Sequence, residues 1–179
     1  MWILGIGKRF FCTFARFYIR MKRQILIVLA ICLTLAGCRQ QKKNDGTIIH
    51  REFYQTVWER FDYVNNTVEV SDPTTFDLGL SITFAENYPY ENISLVFTIF
   101  TADKVPYRSK GYKFNLKDKE GRWNCDNVDG YYTFELPINK ALQITEEGSF
   151  IFQIEQTMPT TPLIGVKELT LFDNNRKTK

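Results

Sequence analysis

From Thr47 onward, apolar positions recur every second residue, the period of a strand rather than of a helix. Phe76 to Phe84, FDLGLSITF, is the clearest case. Phe76, Leu78, Leu80, Ile82 and Phe84 alternate with Asp77, Gly79, Ser81 and Thr83, so every large side chain falls on one face. Ile93 to Thr101, ISLVFTIFT, is β-branched or aromatic on both faces and predicts a central strand. Tyr112, Phe114 and Leu116 alternate with Lys113, Asn115 and Lys117, which places the lysines toward water. Tyr132, Phe134 and Leu136 repeat the pattern, as do Phe150, Phe152 and Ile154. A last strand is expected over Ile164 to Phe172 and an early one over Ile48 to Val57.

Turn chemistry falls between these runs at Asp72-Pro73, Asn87 to Tyr90, Ala102 to Lys104, Lys119 to Gly121, Asp129-Gly130 and Glu147-Gly148. Short strands with regular turns predict an all-β fold, a single antiparallel β-sandwich of jelly-roll or Ig-like type. Only Asn139 to Thr145, NKALQIT, is expected to be helical, for one or two turns. One domain is expected over residues 47–172, and residues 173–179 are expected to fray as a disordered tail.

The first 46 residues follow different rules. From Met21, MKRQILIVLAICLTLAGC sets Lys22 and Arg23 before an apolar run, Ile25 to Leu35, and closes with small residues before Cys38. This is the layout of a secretory signal peptide, over residues 1–37 with the true start expected at Met21. The run falls well short of the ~20 apolar residues that span a bilayer. Leu35-Ala36-Gly37-Cys38 matches the bacterial lipobox. That match implies lipidation of the Cys38 sulfur and cleavage before it, where a lone cysteine in an apolar helix would imply neither. Two or more acyl chains anchor a protein stably where one does not. Met1 to Arg20, basic and aromatic, is expected to be an upstream extension removed with the signal; the alternative is a basic amphipathic membrane helix. Residues 38–46 read as the lipidated N-terminus and a flexible tether, although Lys42 to Asp45 also fits a sorting signal. Arg39, where an aspartate would suggest inner-membrane retention, favours the outer membrane, with the domain facing the periplasm or the cell surface.

Removal of the signal changes the charge. Residues 1–37 carry six Lys/Arg and no acid, so the mature chain holds seventeen basic and twenty acidic residues, a net of −3. The basic pI belongs to the precursor, and no footprint for nucleic acid survives. Cys12 and Cys32 leave with the signal and Cys38 carries lipid, so Cys125 remains without an intramolecular disulfide partner. The fold must then be held by its core.

Candidate chemistry is sparse. His50 is the sole histidine, which excludes a site with several His ligands and leaves any triad dependent on it. Asp126, Asn127 and Asp129 lie in an acidic loop whose spacing departs from the calcium-loop pattern and reads as a solvated turn. No motif selects a carboxylate pair for hydrolysis, so no catalytic residue, metal or cofactor is expected. Cys125, beside Trp123 in GRWNC, reads as a buried, inert thiol rather than a reactive one. Tyr88, Tyr90, Trp123 and Tyr131 sit in or near predicted turns. They either cap the sandwich ends or form a binding surface, stacking on a sugar or anchoring a protein contact.

Several stretches carry a family likeness: DLGLSI at 77–82, ENYPYENISL at 86–95, GRW at 121–123, FELPI at 134–138, GSFIFQIEQTM at 148–158 and LIGVKEL at 163–169. Together with the lipobox Cys38 they resemble the gliding-motility lipoprotein H (GldH) family over nearly the whole mature chain. After the tryptophan the family usually continues through small residues and glycines. Here Asn124 to Asn127 stand instead. The resemblance implies an envelope lipoprotein associated with gliding machinery and its linked secretion apparatus, without catalysis. The expectation is a lipid-anchored accessory or assembly component that binds other envelope proteins. A glycan-binding module is the alternative.

Overall fold

The structure, a computed structural model, describes residues 46–176. The expected signal peptide, the Cys38 lipid site, the tether as far as Asp45 and the last three residues lie outside the described residues. Eleven strands form the domain. They are β1 (Thr47–Glu52), β2 (Val57–Trp58), β3 (Val64–Val70), β4 (Thr74–Ala85), β5 (Asn92–Thr101), β6 (Pro106–Asn115), β7 (Asn127–Val128), β8 (Tyr131–Ile144), β9 (Gly148–Gln156), β10 (Leu163–Ile164) and β11 (Val166–Asp173). One sheet has the order β1-β11-β4-β8-β7 and a second β3-β9-β5-β6; β10 and β2 pair apart. Every pairing is antiparallel, so the expected all-β sandwich is the observed one.

The alternation in sequence becomes the layer between the sheets. Phe76, Leu78, Leu80, Ile82 and Phe84 of β4 are all buried, facing Ile93, Leu95, Phe97 and Ile99 of β5 and Phe150, Phe152 and Ile154 of β9. Phe76 meets Phe152 edge-on across the layer at 5.6 Å, and Phe97 meets the same ring at 5.7 Å. Aromatic pairs in this geometry add about 0.5–1.5 kcal/mol beyond area burial.

The sandwich is closed on one side and open on the other. Asn66 Nδ2 on β3 donates to the Ile48 carbonyl of β1 at 2.7 Å, tying the two sheets' edges. At the opposite side β6 is a sheet edge, and the Tyr112 hydroxyl donates to the Ile138 carbonyl of β8 at 2.7 Å. Burial raises the Tyr112 phenol's pKa, so it stays a donor.

Several expectations are corrected. NKALQIT is not helical: it continues β8, where Leu142 and Ile144 pair with Phe76 and Thr74 of β4. Their two-residue spacing fits the sandwich face, and that burial outweighs a short helical propensity. The early strand breaks after Glu52, where Gln55 and Thr56 adopt positive φ of 53° and 57°. The last strand divides at Gly165, with φ 91°. β3, polar through Asn65-Asn66-Thr67, is a strand that the alternation did not announce. Residues 173–176 are held, not frayed. Asp173 is buried; its Oδ1 accepts the Asp77 and Asn175 amides, and Arg176 pairs with it at 3.4 Å.

Gly165 is a tight, fully bonded point of the fold. Its amide donates to the Thr56 carbonyl, its carbonyl accepts the Ala85 amide, and a Cβ there would stand 2.7 Å from Tyr88 Cα. The obstacle is backbone, which cannot swing aside. Gly165→Ala is expected to cost roughly 2–4 kcal/mol, from left-handed strain plus overpacking. Urea unfolding should show it as a lower midpoint at unchanged m-value. A wild-type midpoint would contradict this close approach.

Candidate functional site

The open side carries the most distinctive surface. On β6, Arg108 lies opposite Ile99, Lys110 opposite Phe97 and Tyr112 opposite Leu95. Directly paired residues share a face, and Ile99, Phe97 and Leu95 face the core. Arg108 and Lys110 therefore project from the inner face of an edge strand. A cleft of about 260 Å³ opens beside them, floored by Phe97, Ile99 and Leu142. Lys113 lies on the opposite face of the same strand. Among the described residues none of these three cations forms an ion pair. Arg108 stands 5.6 Å from the Tyr107 ring centre and Lys110 5.0 Å from that of Tyr112, so neighbouring π-faces hold them. β6 contains no acid. Inward charges and lysines on an edge deter indiscriminate strand pairing. They also favour a partner strand carrying acids, each opposite-charge pair contributing roughly 0.2–1 kcal/mol. The alternation around Tyr112 pointed to this strand, but its start at Pro106 and the inward cations emerge only from the register with β5.

The four turn aromatics do not form one exposed platform. Tyr88 is buried, its hydroxyl donating to the Asn92 carbonyl at 2.9 Å, and burial, with Tyr90 adding, pushes its phenol far up. That position corrects its assignment to a binding surface. Tyr90 packs edge-on to Tyr88 at 5.7 Å, and Trp123 lies 6.3 Å from Tyr88. Trp123 stacks on Tyr132 at 4.2 Å, and Lys117 Nζ stands 4.4 Å over its ring while donating to the Tyr88 carbonyl. A sugar would have to displace Tyr132 or Lys117 to stack there. Tyr131 points elsewhere, under Lys167 Nζ at 3.8 Å. The cluster thus caps one end of the sandwich. A tight turn sets Trp123: Asp118 accepts the Glu120 and Arg122 amides and the Arg122 guanidinium, and Gly121 takes φ 80°. The Arg122 amide, above all, holds the Asp118 carboxyl below its ordinary pKa.

The acidic loop behaves as a turn, with Asn127 accepting the Gly130 amide at 2.9 Å. His50 is exposed on β1 and lies near Glu52 and Glu168, which sequence spacing alone could not bring together. Cys125 is half-buried against the core. Burial first, then the Asp126 charge, raises its pKa against a lowering contact from Thr133.

These features define an all-β sandwich domain with an open, cationic sheet edge. The chain belongs to the GldH lipoprotein family, whose pattern matches residues 49–171. Membership implies a membrane-anchored envelope lipoprotein of the gliding-motility class. No curated protein matches the chain. Among solved structures, it is similar to an isomalto-dextranase of Arthrobacter globiformis T6 complexed with panose, at 14% identity and TM-score 0.35, over 61% of this chain and 16% of that one. It is also similar to the T13 IBDV viral particle, at 10% identity and TM-score 0.37, over 71% and 29%. A family 35 carbohydrate-binding module from Clostridium thermocellum is matched at 10% identity and TM-score 0.31, over 65% and 95%. The chain spans less than a third of the first two, and no functional reading attaches to any of the three.

The raised Cys125 pKa predicts little thiolate at neutral pH, and hence slow alkylation. Iodoacetamide at pH 7.5 should modify Cys125 several-fold more slowly than free cysteine. Unfolding in urea should remove the difference, read by mass spectrometry of the Cys125 peptide. Equal rates before unfolding would contradict the burial.

Proposed function

We propose that this lipoprotein is a non-catalytic accessory or assembly component of the gliding-motility machinery or its linked secretion apparatus. It sits on the outer membrane through lipid on Cys38, faces the periplasm, and binds another envelope protein through β6. The observation that carries this reading is the free ten-residue edge, with three cations lacking ion-pair partners among the described residues. An extended acidic segment of a partner would add as a further strand there. Main-chain bonds would give affinity, and Arg108 and Lys110 would set the choice of partner. Family membership and the lipobox support the anchored envelope setting. The net charge of −3 on the mature chain disfavours nucleic acid as a partner.

Crosslinking in intact envelopes, followed by capture of this chain, should recover a defined envelope protein. An Arg108→Glu/Lys110→Glu variant should recover at least tenfold less while keeping the wild-type thermal midpoint. A free monomer in both cases would overturn the accessory role. Equal recovery by both would place the contact away from β6.

A further inference from the structure

On the outer face of the five-stranded sheet, three ligand types converge from two strands. His50 and Glu52 are two apart on β1, which puts them on one face. Glu168 of β11 lies directly opposite Glu52. One ligand atom from each of His50, Glu52 and Glu168 falls within 4.8 Å of the others. Two carboxylates directly opposite across a strand pair repel, and a cation between them would turn that repulsion into attraction.

The surroundings orient these ligands. His50 Nδ1 lies 2.8 Å from Thr170 Oγ1, its partner in register on β11, which leaves Nε2 directed toward Glu52 Oε1 at 3.7 Å. Glu168 Oε1 accepts the Thr83 hydroxyl at 3.1 Å, and Thr83 is in turn bonded to Thr133 at 3.0 Å. A ring nitrogen fixed by one neighbour while the other faces carboxylates is the outer-shell arrangement of metal-binding imidazoles.

We propose that His50, Glu52 and Glu168 form a binding site for a divalent transition-metal ion, with zinc the best fit. An imidazole with two carboxylates suits zinc, and the hard ions magnesium and calcium prefer all-oxygen cages. Zinc ligands sit about 2.0–2.2 Å from the ion and so roughly 3.3–3.6 Å from one another, so the exposed His50 and Glu52 and the half-buried Glu168 need to draw together by a little over an ångström. The fourth position stays open to water. Such an ion bolts β1, an edge strand and the first of the domain, to β11. This site is independent of the β6 contact.

The test uses the full chain in detergent, without a polyhistidine tag, stripped with EDTA and with thiols blocked by iodoacetamide. Titration with zinc chloride in a calorimeter should give one ion per chain and a rise in thermal midpoint. Magnesium chloride should give neither. His50→Ala and Glu168→Gln should each weaken zinc binding at least tenfold, with the metal-free midpoint unchanged. No zinc binding, equal binding of magnesium, or zinc affinity unchanged in both variants would overturn the assignment.

Discussion

The apolar layer between the two sheets is the constraint on which the rest of the structure depends. One face of β4 supplies Phe76 through Phe84, β5 and β9 supply the facing side chains, and the ring of Phe152 locks both. Once those faces are matched, register follows, because a slip of one residue would turn every large side chain to water. The same register sends Arg108 and Lys110 inward at the edge and sets Glu52 against Glu168. Surface features of this protein are thus consequences of its core pairing.

That dependence explains what was legible in the sequence. β4 and β9 could be read from Phe76 or Phe150 onward, because their burial is written as a period of two, and β5 from Ile93 onward, because it is β-branched or aromatic on both faces. The end of β8 reads as a helix because Asn139 to Thr145 is short and carries good helix formers, while Leu142 and Ile144 owe their placement in the sheet to Phe76 and Thr74 some seventy residues earlier. β3 gave no signal because the inner position of Asn66 is polar, satisfied by the Ile48 carbonyl. Tyr88 flanks Pro89 and reads as a turn residue, yet its ring is buried against Phe84, and the backbone of Gly165 passes close beside it. The histidine and its two glutamates were each visible, but their meeting depends on strand order. Local pattern therefore located the strands, and long-range register located the candidate sites.

The sandwich is asymmetric between its two sides. The domain is tied shut where its first strand, β1, approaches β3. It is open where β6 and β8 face each other across a cleft floored by apolar side chains, where the Tyr112 hydroxyl donates to the Ile138 carbonyl. Inward charges and lysines on the free edge of an anchored protein deter indiscriminate pairing with copies of itself.

Amide hydrogen exchange of the full chain in detergent, without partner, tests this asymmetry most directly. Amides in β4, β5 and β9 should share the slowest class. Along β6 the amides bonded to β5 should be protected, and the alternate ones, facing outward, should exchange far faster. Uniform protection along β6, equal to that of β5, would show that the edge is already covered and would contradict the account.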